Sequence, residues 1–294
     1  MEQEKQIQWF PGHMAKTRRR ITEDLRLVDV AAELLDARIP QSSRNPILGG
    51  LIQRKPHVVI LNKSDLADPR ETKRWMEALK GQGQAAVAMD AKTGKGLSAF
   101  YPLVQQMMTE QLEAWRKKGI IGRPIRIMVV GIPNVGKSSL INRMLTGSGA
   151  GKAAVRDKPG VTRQNAWFKL KKGFELLDTP GVLWPKFEDP EVGRCLAYTG
   201  AVKDEIMDLQ ELAAGLLSRL LVQYPQALDR RYGVQPDPEA TGHEVLAAVG
   251  RKRGMLVSGG EIDLERTAVM VMDEFRGGKL GQMTLEQVPP RLLS

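Results

Sequence analysis

The 294 residues are 42% hydrophobic and 27% charged, an ordinary globular composition, and the length suits two domains better than one. No apolar run reaches the roughly 18 residues a spanning helix needs, residues 1–8 lack an apolar leader core, and the single Cys195 excludes an internal disulfide and a thiolate metal site. The expectation is therefore a cytoplasmic chain with no membrane contact, and the formal net charge of +10 favours polyanionic partners.

In chain order, residues 28–35 and 57–61 read as buried strands, 84–89 as a weaker one and 125–130 as a fourth. Helical spacing lies between them at 70–80 and 97–116. Residues 167–172 and 174–177, split by Gly173, read as an antiparallel pair. This alternation predicts an α/β fold with a mostly parallel sheet and helices on both faces. Beyond Glu205 the pattern turns helical: Leu209, Leu212, Ala213, Leu216, Leu217, Leu220 and Leu221 form one stripe. Leu264, Ala268, Val271, Met272 and Phe275 form another, with Gly277 as its stop. Two domains are expected, 1–205 and 206–294, the second small and helical with a Pro-rich loop at 224–238.

Gly131-Ile132-Pro133-Asn134-Val135-Gly136-Lys137-Ser138 fits G-x-x-x-x-G-K-[ST] between a strand and a helix. Glycines let successive backbone N–H groups turn toward phosphate oxygens, and the helix N-terminus adds its positive end. Lys137 would bridge the β- and γ-phosphates, and the Ser138 hydroxyl would ligate Mg²⁺. Asp178-Thr179-Pro180-Gly181 follows a strand: Asp178 suits the Mg²⁺ shell through water, and the Gly181 N–H suits the γ-phosphate. Thr162, in the Pro159-Gly160-Val161-Thr162 segment between them, can close over Mg²⁺ and phosphate. Val135 and Ser139 complete the phosphate set.

Asn62-Lys63-Ser64-Asp65 places N-K-x-D at a strand end. Guanine offers N1–H and N2–H₂ side by side, and one carboxylate, Asp65, accepts from both. Adenine would leave that carboxylate unpaired, a costly state for a buried group. Asn62 would hold loops together, and the Lys63 stem would cover the ring. In Asp90-Ala91-Lys92 the Ala91 N–H could donate to guanine O6.

Together these motifs resemble those of the translation-factor-like GTPases, except that Asp90 stands where that pattern usually has Ser. Their order is permuted, because Asn62 and Ala91 precede Gly131, Thr162 and Asp178. Termini of a compact domain often lie close, so the fold tolerates a new connection, here about residues 117–124. Trp9-Phe10-Pro11-Gly12-His13, Asp36-Ala37-Arg38-Ile39-Pro40 and the permuted motifs resemble the bacterial ribosome biogenesis GTPase A family, over most of the chain. The resemblance implies GTP hydrolysis to GDP and a role in assembling the large (50S) ribosomal subunit, with the particle stimulating turnover. A monomer is expected.

Val182, after Gly181, cannot orient the attacking water as the glutamine of related GTPases does. His13 is a candidate by elimination, with an RNA contact or a plain loop histidine as its alternatives. A K⁺ ion at Asn134, or a group from the partner, are the rival catalysts. A nucleotide-gated scaffold with little turnover stands as the second functional reading. An ATP-dependent enzyme is disfavoured by Asn62 and Asp65.

Overall fold

The computed structural model describes residues 11–53, 55–148, 167–171, 173–177, 189–202 and 208–292, with the side chains of 11–17, 147, 148 and 291 outside that description. Its centre is a six-stranded sheet in the order β3-β2-β1-β4-β6-β5. The strands are β1 (Val30–Asp36), β2 (His57–Asn62), β3 (Ala85–Ala88), β4 (Ile125–Val130), β5 (Trp167–Leu170) and β6 (Phe174–Leu177). All neighbours run parallel except β5 and β6, which pair antiparallel from Trp167 opposite Leu177 to Leu170 opposite Phe174.

The central strands read as largely apolar runs because both faces are covered. Val30, Ala32 and Leu34 of β1 join Val58, Ile60, Ile127 and Val129 on one face. Ala31, Met128, Val130 and Leu177 face the opposite way, toward Ile21, Leu25, Leu48 and Ile52. On that second face lie α1 (Pro11–Leu27), α2 (Pro46–Ile52) and α3 (Pro69–Gly81). On the first lie α4 (Leu97–Met107), α5 (Thr109–Lys117) and α6 (Lys137–Ser148). Asp68 caps α3 by accepting from the Arg70 N–H, with Pro69 at the first position, where its missing N–H costs nothing.

The helical pattern at 97–116 is two helices, broken at Met108. The pattern missed α1, α2 and α7 (Pro190–Tyr198), each of which opens at a proline that reads as a turn from sequence. One expectation is overturned: the Pro-rich stretch at 224–238 is not all loop. It contains α9 (Pro225–Tyr232), in which Pro225 starts the helix and Gly233, at φ 64°, ends it.

The later helices α8 (Leu209–Gln223), α10 (Gly242–Lys252) and α11 (Leu264–Arg276) pack around α8, whose Leu212, Leu216, Leu217 and Leu220 are buried. Their apolar cluster is continuous with the first face of the sheet and includes Leu196 and Ala197 of α7. After α11 the chain returns to the sheet domain as a strap. The Met283 N–H donates to Leu66 O and the Leu285 N–H to Arg38 O. Glu286 accepts from the N–H groups of Gln41 and Ser42, and its carbonyl accepts from Trp75 Nε1. Among the described residues no helix is long and apolar enough to cross a membrane.

Gly242 lets α10 pack tightly against α8, since a Cβ there would lie 1.9 Å from the Ala214 carbonyl oxygen. Gly242→Ala should therefore destabilise the protein by about 3 kcal/mol in urea denaturation, the scale of overpacking. Gly49→Ala in α2, with nothing within 4 Å, should be neutral or stabilising. Equal effects at the two positions would contradict this packing.

Candidate functional site

β1, β2, β3 and β4 all end at one rim of the sheet, at Asp36, Asn62, Ala88 and Val130. The strand order reverses direction between β1 and β4, the place where open α/β sheets form ligand crevices. An open cleft lies at this rim. Asn62, Lys63 and Asp65 line it from one loop, Asp90, Ala91 and Lys92 from the next, and Gly136 and Ser139 from the third.

The Asn62 side chain, 2% exposed, joins the three loops. Its Nδ2 donates to Val135 O at 2.8 Å, and its Oδ1 accepts from the Ala91 N–H at 3.0 Å. The amide thus satisfies two backbone groups that would otherwise be left unpaired next to the core. Gly136 permits this approach, since a Cβ there would lie 2.3 Å from Asn62 Nδ2. The Ala91 N–H, expected to reach guanine O6, is engaged by Asn62 here.

Asp90 organises its own loop. Its carboxylate accepts from the Lys92 N–H at 2.8 Å and from the Thr93 hydroxyl at 2.5 Å. Burial opposes its ionisation, but these hydrogen bonds outweigh it and hold its pKa below the usual carboxylate value. The aspartate does the turn-bonding that a serine hydroxyl could do more weakly. Arg143 of α6 donates to the Thr93 carbonyl and ties this loop to the phosphate-loop helix.

In the phosphate loop, Asn134 sits at φ 58° and donates from Nδ2 to Gly200 O at 3.0 Å. Lys137, 8% exposed, folds onto the loop's own carbonyls, Gly131 O at 3.0 Å and Ile132 O. Burial without a counter-charge pushes its pKa down to about 8. Ser138 and Ser139 are exposed at the start of α6. Thr162, Asp178 and Gly181 lie outside the described residues. His13 falls in the first turn of α1, with its side chain outside the description.

The cleft also has walls that the motifs do not name. Arg38, from the turn after β1, lines it, as do Leu66, Thr199 and Arg276. Arg38 stood in a quoted motif, but nothing in its spacing said that it faced a cleft. Arg276 comes from the end of α11 and donates to the carbonyls of Tyr198 at 3.2 Å and Ala197 at 2.7 Å. No local pattern relates it to residues more than 130 positions earlier.

A parallel-sheet rim with a phosphate loop and an N-K-x-D loop joined by one amide defines a guanine-nucleotide-binding protein of the P-loop class. Residues 126–220 match the family model described as 50S ribosome-binding GTPase. The ribosome biogenesis GTPase A of Bacillus cereus is 48% identical over 280 residues, covering 95% of this chain and 93% of that protein. That of Thermotoga maritima is 31% identical, covering 96% and 94%. A GNP-bound YlqF structure from T. maritima superposes with a TM-score of 0.62 at 28% identity, over 92% of this chain and 98% of that one. A GDP-bound YlqF superposes at 0.65. The chain belongs to the ribosome biogenesis GTPase A family. It is a GTPase with the circularly permuted motif order.

Phosphate oxygens beside Lys137 should restore its charge and raise its pKa. Well below pH 8 the ammonium is already protonated and binding would take up almost no proton there. Above it, GDP binding should be coupled to proton uptake and weaken as pH rises. Calorimetry at pH 8.5 in buffers of different ionisation enthalpy measures that uptake. Lys137→Arg, which stays protonated, should abolish it; uptake unchanged in this variant would assign the proton elsewhere.

Proposed function

We propose that this GTPase binds GTP and GDP in the cleft joined by Asn62 and acts in assembly of the large ribosomal subunit, whose particles stimulate its turnover. The supporting observation is a cleft with base and phosphate loops in contact, in a chain matched nearly end to end by proteins named ribosome biogenesis GTPase A. The matching family model is itself described as ribosome-binding.

In this reading Asp65 accepts the guanine N1–H and N2–H₂ pair, and Lys63 covers the ring. Lys137 meets the β- and γ-phosphates, and Gly181 the γ-phosphate. The hydroxyls of Ser138 and Thr162, with Asp178, would hold Mg²⁺, which would neutralise developing phosphate charge. Exposed Ser138 at the helix start suits that ligand set. Asn134 spends its Nδ2 on Gly200 O, which leaves the amide oxygen for a cation such as K⁺. His13, that cation or a group on the particle then orients the attacking water.

Domain 206–294 would supply the RNA-binding face of a cytoplasmic, monomeric factor. Arg251, Lys252 and Arg253 are exposed at the end of α10, and Arg253 is braced over the Tyr232 ring at 5.3 Å. Such a cluster gains affinity for RNA by releasing counterions.

Asp65→Asn should lose GTP affinity and gain affinity for xanthosine nucleotides, because xanthine presents an acceptor where guanine has its N2 donor. Equilibrium binding of the two nucleotides checks the base assignment, and unaltered GTP affinity would refute it. For the assembly role, GTP turnover is measured with and without large-subunit particles. Stimulation of at least about tenfold is expected, a threshold well below the roughly 10³–10⁵ that a trans-acting arginine contributes in other GTPases. Turnover indifferent to particles would leave a nucleotide-gated scaffold as the better reading.

A further inference from the structure

Residues 116–123 join α5 to β4, which starts at Ile125 and ends at the cleft rim with Val130. The turn therefore lies at the edge of the sheet opposite the cleft. All eight of its residues are exposed, and Ile121 is 90% exposed, more than any other large apolar side chain among the described residues. Ile120 is exposed beside it in sequence, and so is Leu27, at the end of α1 on the same edge. The Asp29 N–H, two residues after Leu27, donates to Arg126 O at 2.8 Å and so places the end of α1 next to this turn.

The turn is fixed by its own bonds. At the end of α5 the Gly119 N–H donates to Arg116 O at 3.0 Å and the Ile120 N–H to Trp115 O at 2.9 Å, with Gly119 left-handed at φ 71°. Gly122, at φ 75°, makes the second bend. The Arg123 guanidinium carbon lies 4.0 Å from the centre of the buried Trp115 ring, and its Nη2 donates to Asp29 at 2.8 Å. Ile121 is thus held out between two glycines on an anchored turn, and little ordering is left for a partner to impose.

The charge around it has one sign. From Ala114 to Met128 the chain has Arg116, Lys117, Lys118, Arg123 and Arg126 and no acidic residue. Arg123 and Arg126 pair with Asp29 and Glu175, whereas the first three form no ion pair with a described residue. The Ile125 N–H donates to Gly173 O at 2.9 Å, which brings the turn of exposed Lys171 alongside, and exposed Arg26 lies in the last turn of α1.

We propose that the 116–123 turn is an RNA-contacting element separate from the α10 cluster, in which Lys117 and Lys118 meet phosphates and Ile121 packs on an unstacked base of a looped rRNA segment. A protein partner would favour a broad apolar face poor in lysine. A single apolar side chain among unpaired cations instead suits looped RNA, whose unstacked bases offer apolar faces between phosphates. The connection that the permuted chain order requires thus gives the nucleotide domain its own hold on the particle, on the side away from the nucleotide. This rests on the large ribosomal particle being the partner.

The test is equilibrium binding of the full-length protein, loaded with a GTP analogue, to large-subunit particles over a range of salt concentrations. Lys117→Ala with Lys118→Ala should weaken binding and lower the slope of log affinity against log salt by about 1.4, two phosphate contacts on unpaired RNA. Ile121→Ser should weaken binding about tenfold, the scale of exposing one aliphatic side chain, and leave the slope alone. GDP affinity should be unaltered in both variants, because the turn is remote from the cleft and its side chains are exposed. Unaltered particle affinity and slope in both variants overturn the proposal. Loss of affinity in Ile121→Ser, with the slope of the lysine variant unaltered, assigns the turn to a ribosomal protein and also overturns it. If the unsubstituted protein fails to bind particles at all, it is the assembly reading that falls.

Discussion

Much of the rim depends on the amide of Asn62. It lies buried at the end of a central strand and bonds a carbonyl of the phosphate loop on one side and a backbone N–H of the 90–95 loop on the other. Three segments distant in sequence are thereby fixed at one edge of the sheet, each by satisfying a polar group that burial would otherwise penalise. Such a tie is indifferent to chain order. It needs only that β1 to β4 end on the same side, which parallel pairing guarantees. The permuted order of the motifs is tolerated for that reason, and the connection after α5 has only to return the chain to β4, beside β1.

A second set of contacts makes the cleft a property of the whole chain. Asn134 of the phosphate loop touches Gly200 beyond α7, and Arg276 at the end of α11 holds the last carbonyls of α7 while lining the cleft. The strap after α11 bonds the loops that follow β1 and β2. Movement of the helical bundle relative to the sheet would have to break or redirect these bonds. Cleft and bundle therefore share hydrogen-bonded elements.

The strands were readable because residues buried on both faces form apolar runs with sharp ends. Even the short β5–β6 pair was marked by Gly173. Helices α8 and α11 were readable from one-sided apolar stripes, and α3 from its helical spacing. The pattern missed α1, α2, α7 and α9, which begin at Pro11, Pro46, Pro190 and Pro225, whereas α3, which also begins at a proline, Pro69, was carried by its apolar spacing. Proline has two meanings in sequence, turn and first helical position, and only the following capping geometry decides between them. The break at Met108 likewise left no mark in the periodicity of 97–116.

The loop motifs were legible because backbone geometry demands particular residues at fixed local spacing. Gly136 cannot bear a side chain beneath Asn62, and Asn62 needs both ends of its amide. Sequence by itself thus determined the sheet, the nucleotide motifs and their permuted order. Tertiary structure alone decided that Arg38 is buried with a free Nη1, that Asp36 serves two cations, and that Arg276 reaches the cleft from α11. The reason is physical: a motif records constraints between near neighbours in the chain, whereas burial and charge pairing arise from elements that meet only when the sheet and bundle close on each other.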